Sequence, residues 1–373
     1  MKLAQVILDH PTFKGVMIDF FQKNLPEYDF DFYVIDKNAS PLLSGYLSDP
    51  KDGVVFKRTT SNREGQDFVN QILDEHDFVM FHSMMLSPQV KANVLSHNKS
   101  NIQKIIWIEW GYDLYISRGR GIADLARFIA KKIMLYRFDR RIPFFIAIHP
   151  SDLDEYKRLI HGNAYLNWVP YLGRPNPTVP PEKKKRVLME DKHRAGQPIT
   201  IQIGQRAWKG LNHSKWLQRL SKYQNENIRV FLPLSYGDRT YGDLIQKEAI
   251  RLFGDKAVVL RDVLPLEEYR ALLADVDIFI LDSKRQIALG NIHPLLRNQK
   301  KIFMPSDSSL SRYFRSQDVE IFDIDTIGRI PFSAFIQDPD MTGAIRFMDR
   351  YDTFDNVSRW REILSDISER IHE

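Results

Sequence analysis

A chain of 373 residues is too long for one comfortable hydrophobic core, so two domains of ordinary size are expected. With 43% hydrophobic and 27% charged residues it has a soluble globular composition, and the absence of cysteine excludes a disulfide scaffold and thiolate metal sites. The formal net charge of +5 suits an anionic partner, whether nucleotide, nucleic acid or lipid headgroup, without choosing among them. The apolar run at residues 3–8 is too short for a signal peptide and meets Asp9 early, and no run approaches a membrane span, so a cytoplasmic address is expected.

Residues 2–8 read as a first strand, followed by a loop at Asp9-His10-Pro11 and a helix through Phe20 and Phe21. Residues 30–35 alternate like a strand, 53–56 suggest another, 64–73 a helix, and 78–81 a short strand ending in His82. Ser87-Pro88 opens a helix, serine as cap and proline in the first turn. The apolar run 105–108 has the composition of a buried parallel strand and stops at Glu109-Trp110-Gly111, glycine being the usual residue at a sharp turn. Asp113, Tyr115, Arg118 and Arg120 follow. Residues 144–148 are a strand, Ser151-Asp152-Leu153-Asp154 caps a helix, and 165–169 close the half.

From Gly173 to Pro198 the composition changes: four prolines precede Lys183-Lys184-Lys185-Arg186, which is linker composition. The alternation then resumes, with strands at 199–203, 228–232, 257–260, 276–281 and 301–304 and helices near 216–220, 241–253, 266–273 and 290–296. A terminal helix from about Phe354 can cross back to the first domain. Strands alternating with helices mean parallel sheets with right-handed crossovers, here two α/β domains facing across a cleft. The boundaries are 1–174, a linker at 175–197, 198–345, and a returning C-terminal helix at 346–373.

In such sheets ligands bind beyond the carboxyl ends of the strands. In the second half those ends carry Gly204, Arg206 and Lys209, then Tyr236, then Lys284, Arg285 and Gln286 just before Gly290 and Asn291 open a helix. Free helix-terminal amides beside guanidiniums suit a diphosphate. Solvent-facing loop charges are the plainer account of each residue alone; their recurrence at separate strand ends favours the site. Neither a GxGxxG nor a Walker loop is present, which argues against nicotinamide and P-loop chemistry. In the first half the strand ends carry Asp9 with His10, His82, and Glu109 with Asp113, the candidates for acid–base work. The Asp-x-Asp pairs Asp29/Asp31, Asp152/Asp154, Asp275/Asp277 and Asp323/Asp325 read as structural, and no metal site is expected.

The helical stretch 122–138 places Ile122, Leu125, Ala126, Ile129, Ile133 and Tyr136 at helical spacing among many cations from Arg118 to Arg141. Most of that stripe is expected to be buried in the domain. The cation density nevertheless fits an anionic membrane surface, reached through residues 118–141, and an acceptor carried on a lipid.

These residues resemble the TDP-N-acetylfucosamine:lipid II N-acetylfucosaminyltransferases of enterobacterial common antigen synthesis. The strongest match is Trp110-Gly111-Tyr112-Asp113-Leu114-Tyr115. Asp9, Pro11 and His82 match as well; Gly204, Pro233 and Tyr236 fall in similar contexts; and Arg285-Gln286 with Gly290 echoes an Arg-Gln-Gln-Gly-Ile-Gly segment. Departures are Ile287 and Ala288 for glutamine and glycine, Asn291 for threonine, and Ser83 for the glycine after the histidine.

The resemblance implies a GT-B fold of two Rossmann-like domains, acceptor on the first and nucleotide sugar on the second, with no cofactor and no obligatory metal. It implies transfer of a deoxyamino sugar from a dTDP-linked donor to an undecaprenyl-diphosphate-linked saccharide, by a peripheral protein at the cytoplasmic face of the bacterial inner membrane. Asp113 or Asp9 would be the base or orient the acceptor, with His82, Glu109, Trp110 and Tyr115 on the acceptor side. Gly204, Arg206, Lys209, Tyr236, Arg285, Gln286, Gly290 and Asn291 would hold the donor. A GT-B-like nucleotide-sugar epimerase and a catalytically inactive scaffold subunit are the alternatives; a nucleic-acid partner is not expected.

Overall fold

The structure is a computed structural model that describes residues 1–8, 14–36, 54–58, 62–84, 86–111, 113–115, 122–170 and 187–370. Asp9, His10, Pro11, Tyr112, Arg118, Arg120 and the basic run 183–186 lie outside the described residues. The chain divides into two compact units, Met1–Asn176 with Asp355–Glu373, and Pro177–Phe354.

The first unit alternates strand and helix: β1 (Lys2–Leu8), α1 (Lys14–Asn24), β2 (Asp29–Asp36), β3 (Val54–Arg58), α2 (Asn62–Glu75), β4 (Phe78–His82), α3 (Pro88–His97), β5 (Ile105–Glu109), α4 (Ile122–Arg137), β6 (Phe144–Ala147), α5 (Ser151–Leu159) and β7 (Tyr165–Trp168). Every pairing is parallel, in the order β3-β2-β1-β4-β5-β6-β7. Successive strand side chains point to opposite faces. Thus Trp107 and Phe145 join the core on one face, while Ile106, Ile108 and Phe144 join the core on the other. Both faces are buried, so Ile105–Ile108 and Phe144–Ala147 are apolar without a break.

The second unit opens with α6 (Met189–Arg194) and continues β8 (Ile199–Ile203), α7 (His213–Leu220), β9 (Ile228–Pro233), α8 (Arg239–Phe253), β10 (Ala257–Leu260), α9 (Leu266–Asp275), β11 (Ile278–Ile280), α10 (Leu289–Arg297), β12 (Lys301–Met304), α11 (Ser309–Ser316), β13 (Phe322–Asp323), α12 (Phe332–Phe335) and α13 (Thr342–Asp352). Its strands are parallel in the order β10-β9-β8-β11-β12-β13, the 3-2-1-4-5-6 order of a dinucleotide-binding sheet. In each sheet the strand order reverses once, between β1 and β4 and between β8 and β11.

Three expectations change. Residues 189–194 are helical and belong to the second unit, because Met189 enters its core and Lys192 Nζ reaches Asp277 at 2.5 Å. The return to the first unit begins later than residue 346, since α13 buries Ala344, Phe347 and Met348 in the second core. The third concerns α4. Its buried side is Met134 and Leu135, with Phe138 following, whereas Ile129, Ile133 and Tyr136 are 50%, 47% and 59% exposed. The helix packs beside α3 by a face rotated from the expected stripe.

The last helix, α14 (Asn356–Glu369), lies on the first unit's sheet. It buries Trp360, Ile363, Leu364 and Ile367 at i, i+3, i+4 and i+7, one helical face, and Trp360 meets Phe21 edge-on at 5.0 Å. Arg361 Nε bonds Glu27 Oε1 at 2.6 Å, and Tyr165 donates to Asp366. Replacing Trp360 by alanine removes a buried indole from this seam and is expected to cost about 3–5 kcal/mol. Urea unfolding checks this, and an unchanged midpoint would show that α14 adds nothing to the first unit.

Candidate functional site

The first unit gathers its polar residues at the carboxyl ends of β4, β5 and β6. Gly111, at φ 78, makes the turn after β5 that a side chain would resist. Beyond it Asp113 takes three hydrogen bonds. Met84 N (2.6 Å) and the Trp107 indole (2.6 Å) donate to Oδ2, and Trp110 N (3.1 Å) donates to Oδ1. Trp107 is buried in the core and its indole N–H needs a partner, so one carboxylate ties the strand, the turn and the end of β4 together. Burial raises the Asp113 carboxyl above the usual range, against these bonds, which favour its ionised form.

His82 is buried at the end of β4. Its Nε2 lies 3.0 Å from Gln5 Oε1, and its ring meets Trp110 edge-on at 6.4 Å. Burial pushes this imidazole down to about 3, so it is neutral at physiological pH. With Trp110, Ile108, Ile148, Val169 and Trp360 it lines a cavity of about 20 Å³, room for roughly one water. Tyr115 packs partly buried against the core.

Glu109 is fully buried, and one oxygen accepts the Gly111 amide. Asp152, itself fully buried in the first turn of α5, lies close enough to act on its charge. Asp152 therefore faces inward and does not cap its helix. Burial, then Asp152 and Asp113, push Glu109 well above the usual range; burial chiefly pushes Asp152 up to about 8. The pair holds a proton at neutral pH. His149, at the end of β6, is buried with Nδ1 2.8 Å from Ser151 Oγ. In the sequence Asp152 reads as a structural helix-start carboxylate, and His149 was not singled out. Pro150 between strand and helix was the available signal, but a helix-start aspartate reads as a cap.

In the second unit the strand ends at the reversal of strand order converge. Gly204 sits at φ 64, where an added Cβ would lie 2.7 Å from His213 Nε2. Arg206 leaves β8 and Arg285 follows β11, and both reach one indole: their Cζ atoms lie 5.2 and 4.4 Å from the Trp208 ring centroid. Tyr236 N–C=O pairs with this loop through Ala207 N, 2.8 Å from its oxygen. Its half-exposed ring lies close enough to feel the Arg206 charge, while burial raises the phenol. Asn291, in the first turn of α10, donates to Tyr269 OH at 2.9 Å, and Gln286 is buried nearby in sequence. No side chain caps α10, and Ala288 before it adopts φ 64. A Cβ at Gly290 would meet open space. Lys209 is exposed and turned to Asp238, 3.9 Å away. Trp208 and Tyr269 were not anticipated; neither is charged, and aromatic residues in an α/β chain read first as core.

A family model described as 4-alpha-L-fucosyltransferase, glycosyl transferase group 56, matches residues 8–327. The chain belongs to this family. Similar solved structures include a glycosyltransferase from Rickettsia africae (12% identity, TM-score 0.62, 99% of this chain and 98% of that one). HepE of Anabaena in complex with UDP and glucose is another (14%, 0.61, 98% and 99%). So is a UDP-forming α,α-trehalose-phosphate synthase from Burkholderia vietnamiensis (11%, 0.60, 99% and 100%). At these identities the likeness establishes the fold, which is GT-B. The protein is a glycosyltransferase of group 56.

The Glu109–Asp152 pair gives this transferase a testable pH signature. Asp152 has a raised folded pKa, about 8 against 3.8, so the folded state keeps a proton that the unfolded state loses. Stability is then fully present below about pH 4 and falls as pH rises toward 8. Asp152→Asn keeps a neutral partner for Glu109 and is expected to melt several degrees above the parent at pH 8.5, with little difference at pH 4. Thermal melts across pH check it; parallel curves would remove the pair from the linkage.

Proposed function

We propose that this group 56 enzyme moves a deoxyamino sugar from a dTDP-linked donor to a saccharide carried on undecaprenyl diphosphate, at the cytoplasmic face of the bacterial inner membrane. The observation that carries the donor half is the convergence of Arg206 and Arg285 on Trp208 where the second sheet's strand order reverses. The family's description as a fucosyltransferase supports a 6-deoxy sugar, and the UDP and glucose bound to HepE support a nucleoside-diphosphate donor.

In this reading the acceptor hydroxyl attacks the anomeric carbon and gives up its proton while the bond from that carbon to the diphosphate oxygen breaks. Charge grows on the leaving diphosphate, and the two guanidiniums with the uncapped α10 amides stabilise it without an obligatory metal. Gly204, Lys209, Gln286, Gly290 and Asn291 complete the donor side, with Tyr236 stacking on the base. Asp113, with three hydrogen bonds on its oxygens, acts by arranging the acceptor loop with His82, Glu109, Trp110 and Tyr115; Asp9 takes the proton.

The lipid half rests on α4. Ile129, Ile133 and Tyr136 form an exposed apolar stripe among exposed Arg127, Lys131, Lys132, Arg137, Arg140 and Arg141. Apolar residues with flanking cations suit an anionic bilayer surface. No helix among the described residues is long and apolar enough to cross a membrane.

Calorimetry with dTDP, UDP, GDP and CMP, with and without chelator, tests the donor. Selective dTDP binding that survives chelation is expected, and Arg285→Ala should lower turnover about 100-fold with the fold intact. Binding of another nucleotide alone would move the donor class; near-parental turnover would take Arg285 out of the site. For the membrane, flotation with phosphatidylglycerol-rich vesicles should capture the protein and phosphatidylcholine vesicles should not. Ile129→Glu with Ile133→Glu should abolish capture while leaving nucleotide binding unchanged; retained capture would place the contact elsewhere.

A further inference from the structure

We infer that Trp208 is a positioning residue for the donor's diphosphate: its indole sets the spacing of Arg206 and Arg285 so that the two cations read two phosphoryl groups together. The inference rests on the diphosphate reading above and goes beyond it, since Trp208 is neither charged nor part of the motifs that first marked the site.

Trp208 follows β8 in an extended conformation (φ −135, ψ 126), partly buried against the core that contains Leu211 and Phe279. Its ring is held from behind by close packing. A Cβ added to Gly210 would sit 2.5 Å from Trp208 Cζ2, so glycine at 210 is what leaves the indole its place. A guanidinium is flat and weakly hydrated, and it is drawn to the electron-rich face of an aromatic ring. Here two of them, from loops that are far apart in sequence, use the same ring at 5.2 and 4.4 Å. Their carbons can be no farther apart than those two distances combined.

Two like charges at this range repel each other. Arg206 Nε is, moreover, buried without a hydrogen-bond partner among the described residues. Asp282, the carboxylate at the end of the same strand pair, already faces a cation of its own, Lys215 Nζ at 3.9 Å. Its Oδ2 accepts from Asn212 Nδ2 at 2.9 Å and from the Trp216 indole at 3.0 Å. The indole therefore pins two cations whose repulsion an anion relieves. A monophosphate has one phosphoryl group to offer, whereas a diphosphate has two and can engage both guanidiniums. Removing the ring frees each arginine to find its own solvent-facing rotamer, and the advantage of a diphosphate over a monophosphate falls.

The test is calorimetric titration of the full chain with inorganic pyrophosphate and with inorganic phosphate. The parent is expected to prefer pyrophosphate by tenfold or more. Trp208→Leu, which keeps apolar bulk and loses the π face, should reduce that ratio about tenfold, while Trp208→Phe should restore most of it. Melting curves confirm that each variant is folded. Tryptophan emission that changes on adding pyrophosphate to the parent, and no longer changes in Trp208→Phe, is the spectroscopic counterpart. A folded Trp208→Leu variant that discriminates like the parent overturns the positioning role and leaves the diphosphate site standing. A parent that binds neither pyrophosphate nor any nucleoside diphosphate overturns the donor reading and this inference with it.

Discussion

Parallel pairing is the constraint on which the rest of the molecule depends. A parallel strand reaches its neighbour only after a crossover, so in each unit every strand runs the same way and all the carboxyl ends fall on one edge. Both sheet faces are consumed by packing, which leaves that edge as the place where polar side chains gather. Where the strand order reverses, adjacent loops part to opposite faces and open a crevice. Arg206 and Arg285 stand on the two sides of that reversal in the second unit, and His82 ends one of the two strands that flank it in the first.

The two units load this edge with opposite chemistry. In the first, carboxyls are taken out of water: burial raises Glu109 and Asp152 together, and Asp113 is satisfied by neutral donors. At Asp113 this desolvation fixes the loop, because each oxygen must keep its donors or lose several kcal/mol. In the second unit, guanidiniums are held by an aromatic ring and remain able to receive an anion. A glycosyl transfer needs both kinds of ground: a fixed frame for the acceptor alcohol and a preorganised positive field for the departing diphosphate.

Much of the scaffold was legible in the chain because strand burial on both faces writes itself as uninterrupted apolar runs, such as 105–108 and 199–203, with helical periods between them. Glycine at 111 and 204 was legible for the same reason, since each lies where a strand ends and φ turns positive. What escaped were contacts between distant segments. Asp152 looks like a helix cap until β5 brings Glu109 to it. Trp208 looks like core until β11 brings Arg285 over its ring. The α4 stripe was misassigned because Ile129, Ile133 and Tyr136 share a spacing with Leu125 that is helical but says nothing about which face meets α3. Boundaries at 189–194 and at α13 slipped because a short helix and a late one keep their partners, Asp277 and Phe314, far away in sequence.

Two departures from the resembling family's pattern share a property that the sequence could not display. Ser83, where the resembling family has glycine, sits at φ 79; Ala288, where it has another, sits at φ 64. Each bends left-handed, at a cost of about 1–2 kcal/mol for a residue with a Cβ. One follows β4 in the first unit and the other precedes α10 in the second, so both bends lie beside the residues assigned to chemistry. Surrounding bonds, such as Ser83 N to Ile108 O at 2.8 Å and Ile292 N to Ala288 O at 2.9 Å, now hold the backbone in place of glycine's freedom. The two loops thus keep left-handed bends without glycine, one closing the end of β4 and the other setting the angle at which α10 begins.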